Sequence, residues 1–311
     1  MNSVSRKTKS ENSAEILAAF VPLFWEINNL KRIRAANLKN SFAAKLYESA
    51  WQQIIGGGNV RAVAVETARN ALIGATMGAI DARVLRSAEL KQNAVETILC
   101  RAFDAVAAPV DTALRKEMRE TIDGKLNSDE TANPHFVELL IRQPRSGATK
   151  TGAPKRIFDQ PENHAEHSII VGVYAVLLAP IYAAEIETVF FAALAHHFHN
   201  AYLPDSGFAG EESLGEFLPR VFDVFRRKCL AEVPEKLHEK VWSALEIIEK
   251  ADAPEAKAFH AADVIDRVLQ MRHHAEANEF TLKYAMEEAE LVHAGAIQEF
   301  HYGVLRAAKL I

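Results

Sequence analysis

Apolar residues recur at helical spacing along most of the chain, while alternating runs of β-branched residues are scarce. Apolar positions three and four residues apart are typical of amphipathic α-helices, and the frequent Ala, Leu, Glu and Lys favour the same structure. The pattern therefore predicts an all-α protein. Helices are predicted over residues 16–25, 30–53, 60–82, 87–106, 110–122, 166–183, 184–200, 212–230, 235–251, 254–277 and 279–309.

Local signals mark where several of these helices begin and end. Ser13 is placed to cap the first helix, and Pro22 predicts a kink or an early turn within it. The three glycines at 56–58 break the pattern, and Asn59 is placed to cap the next helix. The last helical stretch is expected to break near Gly295.

Residues 127–160 differ from the rest because prolines and glycines interrupt every long apolar pattern. Residues 136–142 fit one short strand or helix. The segment also carries five basic residues, Lys155 and Arg156 among them, which indicates either a solvated linker or a flexible basic flap beside an anionic substrate. We divide the chain into a polar tail (1–12), a helical N-terminal region (13–130) and a site-bearing region (131–311).

Composition narrows the class of protein. A net charge of -5 gives no reason to expect nucleic-acid binding. The two cysteines form no CxxC pair, which favours a reducing, cytoplasmic setting. No signal peptide is evident, and the apolar run 169–184 is shorter than a membrane span and contains Pro180. A buried core helix is the better interpretation of that run.

Two short segments hold five of the twelve histidines. They are 162–168 (ENHAEHS) and 193–200 (ALAHHFHN), and each adjoins an apolar, helix-like run. An imidazole in an apolar setting must be hydrogen-bonded, protonated or bound to metal. Together with the later pair Asp263 and Asp266, which share one helix face, the histidines indicate a metal site. Core or capping roles are the alternative for each histidine taken alone.

The order of these motifs resembles the HD-domain superfamily of metal-dependent phosphohydrolases, and most of all its 5'-deoxynucleotidase-like branch. The likeness covers about residues 155–300 and implies a helical HD-like domain preceded by an additional helical region. His167 in ENHAEHS, His196 in LAHH and Asp263 in ADVID match the metal ligands of the family. His197 stands where the family has its defining aspartate.

The change at position 197 bears on the metal. A carboxylate can bridge two ions, whereas a neutral imidazole offers one lone pair to one ion. Three imidazoles from His167, His196 and His197 with Asp263 therefore favour one divalent transition metal, namely Zn, Fe, Co, Ni or Mn. His197 is either a ligand or the mark of a site that has lost its metal.

The resemblance also implies roles for nearby residues. Asp205 lies at the distance of a family aspartate and would orient water or protonate the leaving oxygen, while Asn200 stands where the branch has a glutamate. His199 would add a secondary polar, catalytic role in the cleft, or else face solvent. Lys155 or Arg156 would hold the anionic oxygens of the substrate.

The remaining polar candidates are given plainer roles. His164 is expected to be an exposed loop histidine, and Asp266 a structural partner of Asp263. His260 is either a hydrogen-bond partner of a ligand or ordinary surface. His273 and His274 are expected on a solvated helix face.

Three functions remain open from the sequence. The first is a metal-dependent phosphohydrolase acting on a small phosphate ester or nucleotide, so that the partner is a small anionic molecule. The second is an iron oxidase or oxygenase on an HD scaffold, against which the missing bridging aspartate speaks. The third is a catalytically degenerate HD domain that binds a ligand as a sensor. A homodimer is an expectation by analogy alone.

Overall fold

The computed structural model is built from α-helices. It describes residues 9–123, 132–147, 152, 156–159, 161–278, 281–287 and 291–311. No β-strand occurs among these residues, and an isolated bridge joins Pro144 to Asn163. The all-α prediction is confirmed.

The first six helices precede the basic segment. They are α1 (Lys9–Asn29), α2 (Phe42–Ile55), α3 (Val60–Met77), α4 (Ala82–Ser87), α5 (Gln92–Val106) and α6 (Thr112–Glu120). Two of the five basic residues of that segment, Lys150 and Lys155, lie outside the described residues, as does the predicted boundary near residue 130.

The remaining helices follow that boundary. They are α7 (His135–Arg142), α8 (His164–Tyr182), α9 (Ile186–Ala195), α10 (Gly207–Leu214), α11 (Leu218–Leu230), α12 (His238–Ile247), α13 (Pro254–Asn278), α14 (Leu282–Glu287) and α15 (Gln298–Ala307). Short 3₁₀ turns cover Phe198–Ala201, Gly215–Phe217 and Glu235–Leu237. The chain is not helical around Gly295, as predicted.

The predicted helix starts at residues 30, 87 and 212 were wrong, and so was the predicted cap of the first helix. Ser13 lies inside α1 and does not cap it. Residues 30–41 are not helical, because α2 begins only after Ser41, whose side chain accepts a hydrogen bond from the backbone of Ala44. Asn59 caps α3 as predicted, accepting from the Ala62 amide at 3.0 Å. A side-chain cap fixes a helix start more firmly than apolar spacing does.

Helix α8 lies at the centre of the bundle and packs against α2, α3, α9 and α13. By length and composition it is the one described helix that could cross a membrane, but its side chains are buried within the protein core. One hydrophobic core runs from Leu17 in α1 to Leu310 after α15. The two predicted regions therefore share a core, and α1 packs against α13 as well as α8.

Candidate metal centre

The start of α8 places two histidines at the site. Asn163 caps the helix and accepts from the Glu166 amide at 2.8 Å, while the Glu166 carboxylate accepts from the Asn163 amide at 2.9 Å. This reciprocal capping box fixes the first turn. His164 and His167 lie on that turn, and both side chains are fully buried. The conspicuous Asn and Glu of the ENHAEHS string thus have structural roles.

The end of α9 supplies the next two histidines. The helix ends at Ala195, and the chain continues through His196 and His197 into the 3₁₀ turn Phe198–Ala201. The change of backbone at this point turns two consecutive imidazoles toward α8. Their ring centroids lie 4.1 Å apart, and each lies 5.2 Å from the ring of His167.

Three imidazoles and one carboxylate meet between these helices. One ring nitrogen from each of His167, His196 and His197 lies within 4.8 Å of the other two. Asp263 of α13 brings its Oδ1 to 3.2 Å from the Nε2 of His167. We call these four residues the imidazole cluster. The structure brings together all four residues predicted as metal ligands.

Hydrogen bonds at Nδ1 determine how the three rings face. His167 Nδ1 lies 2.8 Å from Asp266 Oδ2, His196 Nδ1 lies 2.7 Å from the carbonyl of Ala193, and His197 Nδ1 lies 2.9 Å from Asn200 Oδ1. Since each partner is an acceptor, a neutral ring at each position carries its proton on Nδ1 and leaves the lone pair on Nε2. Such partners are what orients histidine ligands in metal sites.

The lone pairs at the centre of the cluster are not satisfied by protein groups. The Nε2 atoms of His167 and His196 are buried without a hydrogen-bond partner. Burial lowers the pKa of His196 and His197 well below the ordinary value, and the neighbouring imidazoles add to the effect. The uncharged rings of His196 and His197, the unpaired Nε2 atoms and the Asp263 carboxylate together fit a divalent cation.

A second acidic group lies directly behind the imidazole cluster. Lys31 Nζ donates to Asp266 at 2.7 and 2.8 Å and to Glu162 Oε2 at 2.5 Å, and Arg145 Nη1 donates to Glu162 Oε1 at 2.9 Å. We call Lys31, Arg145, Glu162 and Asp266 the ion cluster. Glu162, His167 and Asp266 also have metal-ligand spacing, but the Lys31 ammonium already bridges the two carboxylates.

A cavity of about 490 Å³ opens onto the imidazole cluster. His196, His197 and Asp263 line it, together with Arg145, Arg226 and Arg267. Arg145 is paired with Glu162, and Arg267 contacts Asp263 and the carbonyl of Leu291. Arg226 Nε is buried without a hydrogen-bond partner in the described part of the chain, its guanidinium lies over the ring of Phe222, and the carboxylates of Glu249 and Asp223 act on it electrostatically.

Asp205 lines the same cavity and is held from two sides. Its carboxylate accepts from the amides of Ser146 at 3.0 Å and Gly207 at 2.8 Å, and Oδ2 lies 3.4 Å from His164 Nε2. Burial raises the pKa of Asp205, but the contact with His164 and the two amides outweigh burial and the net shift is downward. Asp205 is therefore an ionised acceptor.

The other predicted site residues lie further from the centre. His199 is buried against Phe222, with ring centroids 3.8 Å apart, and is not among the residues that line the cavity. Arg156 lies over the ring of Tyr284 at 4.1 Å and does not line the cavity either. Lys155 lies outside the described residues.

The structure tests the predictions for three other histidines. His164 is buried in the first turn of α8 and is not an exposed loop residue. His274 is buried between Gln270, at 2.9 Å, and the ring of Phe158, so the solvated-face prediction was wrong for it. His260 lines the cavity and bonds the carbonyl of Ile248 at 2.8 Å.

Sequence reasoning missed Lys31 and Arg226. Lys31 stands in a run that looked helical and solvated, and nothing in its neighbours indicates an acidic partner more than 130 residues away. Arg226 begins a run of three basic residues that ends at Lys228, and such a run is typical of a solvated surface. Tertiary contacts alone single out both residues.

Comparison with protein-family models identifies the family of this chain. The HD domain family model matches residues 137–301, which is more than half of the chain, so the protein belongs to the HD-domain family. This superfamily comprises metal-dependent phosphohydrolases, and its domains typically bind divalent metals. No curated protein and no solved structure gave a significant match.

Proposed function

We propose that the protein is a metal-dependent phosphohydrolase acting on a small phosphate ester or nucleotide. The observation that carries the proposal is the imidazole cluster, whose unshared Nε2 lone pairs and Asp263 carboxylate converge beside an arginine-lined cavity. His167, His196, His197 and Asp263 would hold one divalent transition metal. The chemistry that such an ion supplies is Lewis acidity toward water and toward a phosphate oxygen.

His197 sets the expected character of the site. We infer that it replaces the aspartate of the 5'-deoxynucleotidase-like branch as a ligand with a single lone pair, held in place by Asn200. A neutral nitrogen ligand in place of a carboxylate makes the site less anionic. Zn, Fe, Co, Ni or Mn then suits it better than Mg, which prefers oxygen ligands.

Asp205 is assigned the role of orienting the attacking water. Two backbone amides and His164 hold its ionised carboxylate at the cavity wall, where it can accept a hydrogen bond from water but has no proton to donate. The lowered pKa makes it a poor general acid for the leaving oxygen. Of the two roles implied by the family resemblance, water orientation is the one that this environment supports.

Arg226 is our candidate for binding the anionic oxygens of the substrate. Arg145 and Arg267 line the cavity too, but both already face carboxylates. Arg226 has no carboxylate in direct contact among the residues that the structure describes, although Glu249 and Asp223 act on it at longer range, so its guanidinium is the best placed of the three to bind a phosphate group. It takes the place that the sequence suggested for Lys155 or Arg156.

The test is phosphate release that depends on the metal. Full-length protein is stripped with a chelator, reloaded separately with Zn, Mn, Co, Ni or anaerobic Fe(II), and assayed against a panel of phosphate monoesters and nucleoside monophosphates. We expect release with at least one metal, loss of release in His196→Gln, and no change in His135→Gln. His135 is an exposed histidine on α7 and serves as the matched control.

The other outcomes decide between the remaining functions. One bound equivalent of metal without release of phosphate from any ester would contradict the hydrolase and favour a degenerate HD domain that binds a ligand. Oxygen uptake by the Fe(II) form would favour an oxidase. The hydrolase is preferred because an imidazole at position 197 cannot bridge two irons as a carboxylate does.

A further inference from the structure

Lys31 comes from the part of the chain that the family match does not cover. It lies between α1 and α2, whereas the HD domain match begins at residue 137. Its side chain is nevertheless only 1% exposed. A lysine is almost never fully buried unless its ammonium is paired, so the burial of Lys31 requires a specific structural account.

The contacts of Lys31 form a balanced set of charges. Two cations, Lys31 and Arg145, face two carboxylates, Glu162 and Asp266. Asn28 adds a hydrogen bond of 2.9 Å to Asp266 Oδ1. Both oxygens of Asp266 are therefore held, and the carboxylate has one orientation in which all its partners are satisfied.

That orientation is what His167 depends on. Asp266 Oδ2 lies 2.7 Å from Lys31 Nζ and 2.8 Å from His167 Nδ1, so one oxygen joins the ammonium to the imidazole. With Oδ2 facing Nδ1, the proton of a neutral His167 stays on Nδ1 and the lone pair on Nε2 faces Asp263. If the Asp266 carboxylate rotated, neither the tautomer nor the orientation of the His167 ring would be fixed.

The segment that carries Lys31 is itself fixed. Arg34 donates to the Lys31 carbonyl at 2.8 Å, and Arg32 donates to Gln270 of α13 at 3.0 Å. The backbone of Ile33 also accepts from the Phe42 amide at 3.0 Å. Anchored at these points, the loop holds the ammonium at a defined place against α13.

We propose that Lys31 is a positioning residue that fixes the tautomer and the orientation of His167 through the Asp266 carboxylate, so that the N-terminal helices complete the metal site. Lys31 touches neither substrate nor metal in this arrangement. The proposal uses the metal site of the proposed function, but the tautomer and the orientation of His167 are measured in the metal-free protein.

The first test reads the His167 ring directly. Long-range ¹H–¹⁵N spectra of chelator-treated, full-length protein distinguish the two neutral tautomers of each histidine, and His167→Gln assigns the signal. We expect a single Nδ1–H tautomer for His167 in the wild type. A wild-type His167 with its proton on Nε2, or with mixed tautomers, would overturn the proposal without any variant of Lys31.

The second test removes the lysine while keeping the charge balance. Lys31→Met with Glu162→Gln leaves Arg145 and Asp266 as one cation and one anion, whereas Lys31→Met alone would leave an excess of buried negative charge. We expect mixed His167 tautomers in this double variant. Lys45→Met is the control, because Lys45 lies in the same helical region and pairs with Asp81, away from the site.

The third test measures the affinity of the protein for Co(II), and the visible absorption of the bound ion reports the binding. Loss of a group that orients a metal-binding histidine lowers metal affinity by about 10- to 100-fold, and we expect that loss in the double variant and not in Lys45→Met. A folded double variant with the wild-type tautomer and affinity would refute the role of Lys31. Absence of phosphatase activity would refute the proposed function and leave these readouts intact.

Discussion

Two buried polar clusters lie back to back in this protein, and they differ in how their atoms are satisfied. In the ion cluster every charged group faces an opposite charge, with contacts of 2.5–2.9 Å. In the imidazole cluster, the Nε2 atoms of His167 and His196 have no hydrogen-bond partner, and the Nε2 of His167 lies 3.2 Å from Asp263 Oδ1. His167 joins the two, because its Nδ1 bonds the first and its Nε2 faces the second.

This difference indicates a structural role for the ion cluster and a ligand-binding role for the imidazole cluster. Buried polar atoms are nearly always hydrogen-bonded, so a group of orphaned lone pairs calls for a ligand, whereas a matched set of charges does not. Spacing alone would make Glu162, His167 and Asp266 a second candidate metal site. The ammonium of Lys31 already bridges the two carboxylates, so the imidazole cluster is the better candidate.

The largest expected effect comes from unbalancing the ion cluster. Lys31→Met should lower the free energy of unfolding by about 3–5 kcal/mol, because it leaves buried carboxylates without their cation. Urea denaturation of the metal-free protein measures it. In the same assay His196→Gln should cost about 1 kcal/mol, since only its bond to the Ala193 carbonyl is lost. Equal losses in the free energy of unfolding would contradict the difference between the two clusters.

Metal should stabilise the protein through the imidazole cluster alone. At a free concentration of about 100 Kd, a bound ion raises the free energy of unfolding by about 2.7 kcal/mol. Thermal unfolding with and without metal reports this gain. We expect it in the wild type and in His135→Gln but not in His196→Gln. A gain that survives in His196→Gln would mean that metal binds elsewhere.

Removal of the Arg226 guanidinium should impair the reaction and spare the fold. A charge-assisted hydrogen bond contributes about 1.5–3 kcal/mol, so Arg226→Met should lower kcat/KM by about 10- to 100-fold. Steady-state kinetics on the best phosphate ester measures the loss. Arg156→Met is the control, because Arg156 contacts Tyr284 outside the cavity. A larger loss in Arg156→Met would restore the original sequence hypothesis.

The smallest expected effect concerns metal preference. His197→Asp exchanges a nitrogen ligand for oxygen, which should shift the ratio of Mn to Zn affinities toward Mn by about tenfold. Competition binding on the stripped protein gives the ratio. An unchanged ratio would show that position 197 does not contact the ion.

The sequence predicts most of the helices because their boundaries are set by local chemistry. Asn59 and the glycines at 56–58 act through the backbone of their own neighbours, and the structure confirms both. Residues 30–41 were predicted wrongly as helix because contacts with residues far away in the sequence determine the backbone conformation of that segment. Apolar spacing carries no information about the ammonium of Lys31, which reaches Glu162 and Asp266.

The candidate site shows the same division. His167, His196, His197 and Asp263 could be found because the order of their motifs resembles a known family, and the structure brings them together. The burial of His164 and His274 could not be found, since the residues that cover them come from other elements. The sequence shows which residues are basic but not which of them contact a carboxylate. Arg226 differs from the other cavity arginines because no carboxylate contacts it among the described residues.

Metal content tests the central claim most directly. Chelator-treated wild type, His135→Gln and His196→Gln are equilibrated with Zn, Co, Mn or Ni, desalted and analysed for metal. We predict one equivalent per chain of at least one of these metals in the wild type and in His135→Gln, and none in His196→Gln. No bound metal in the wild type, or equal content in His196→Gln, would contradict a site built on the imidazole cluster.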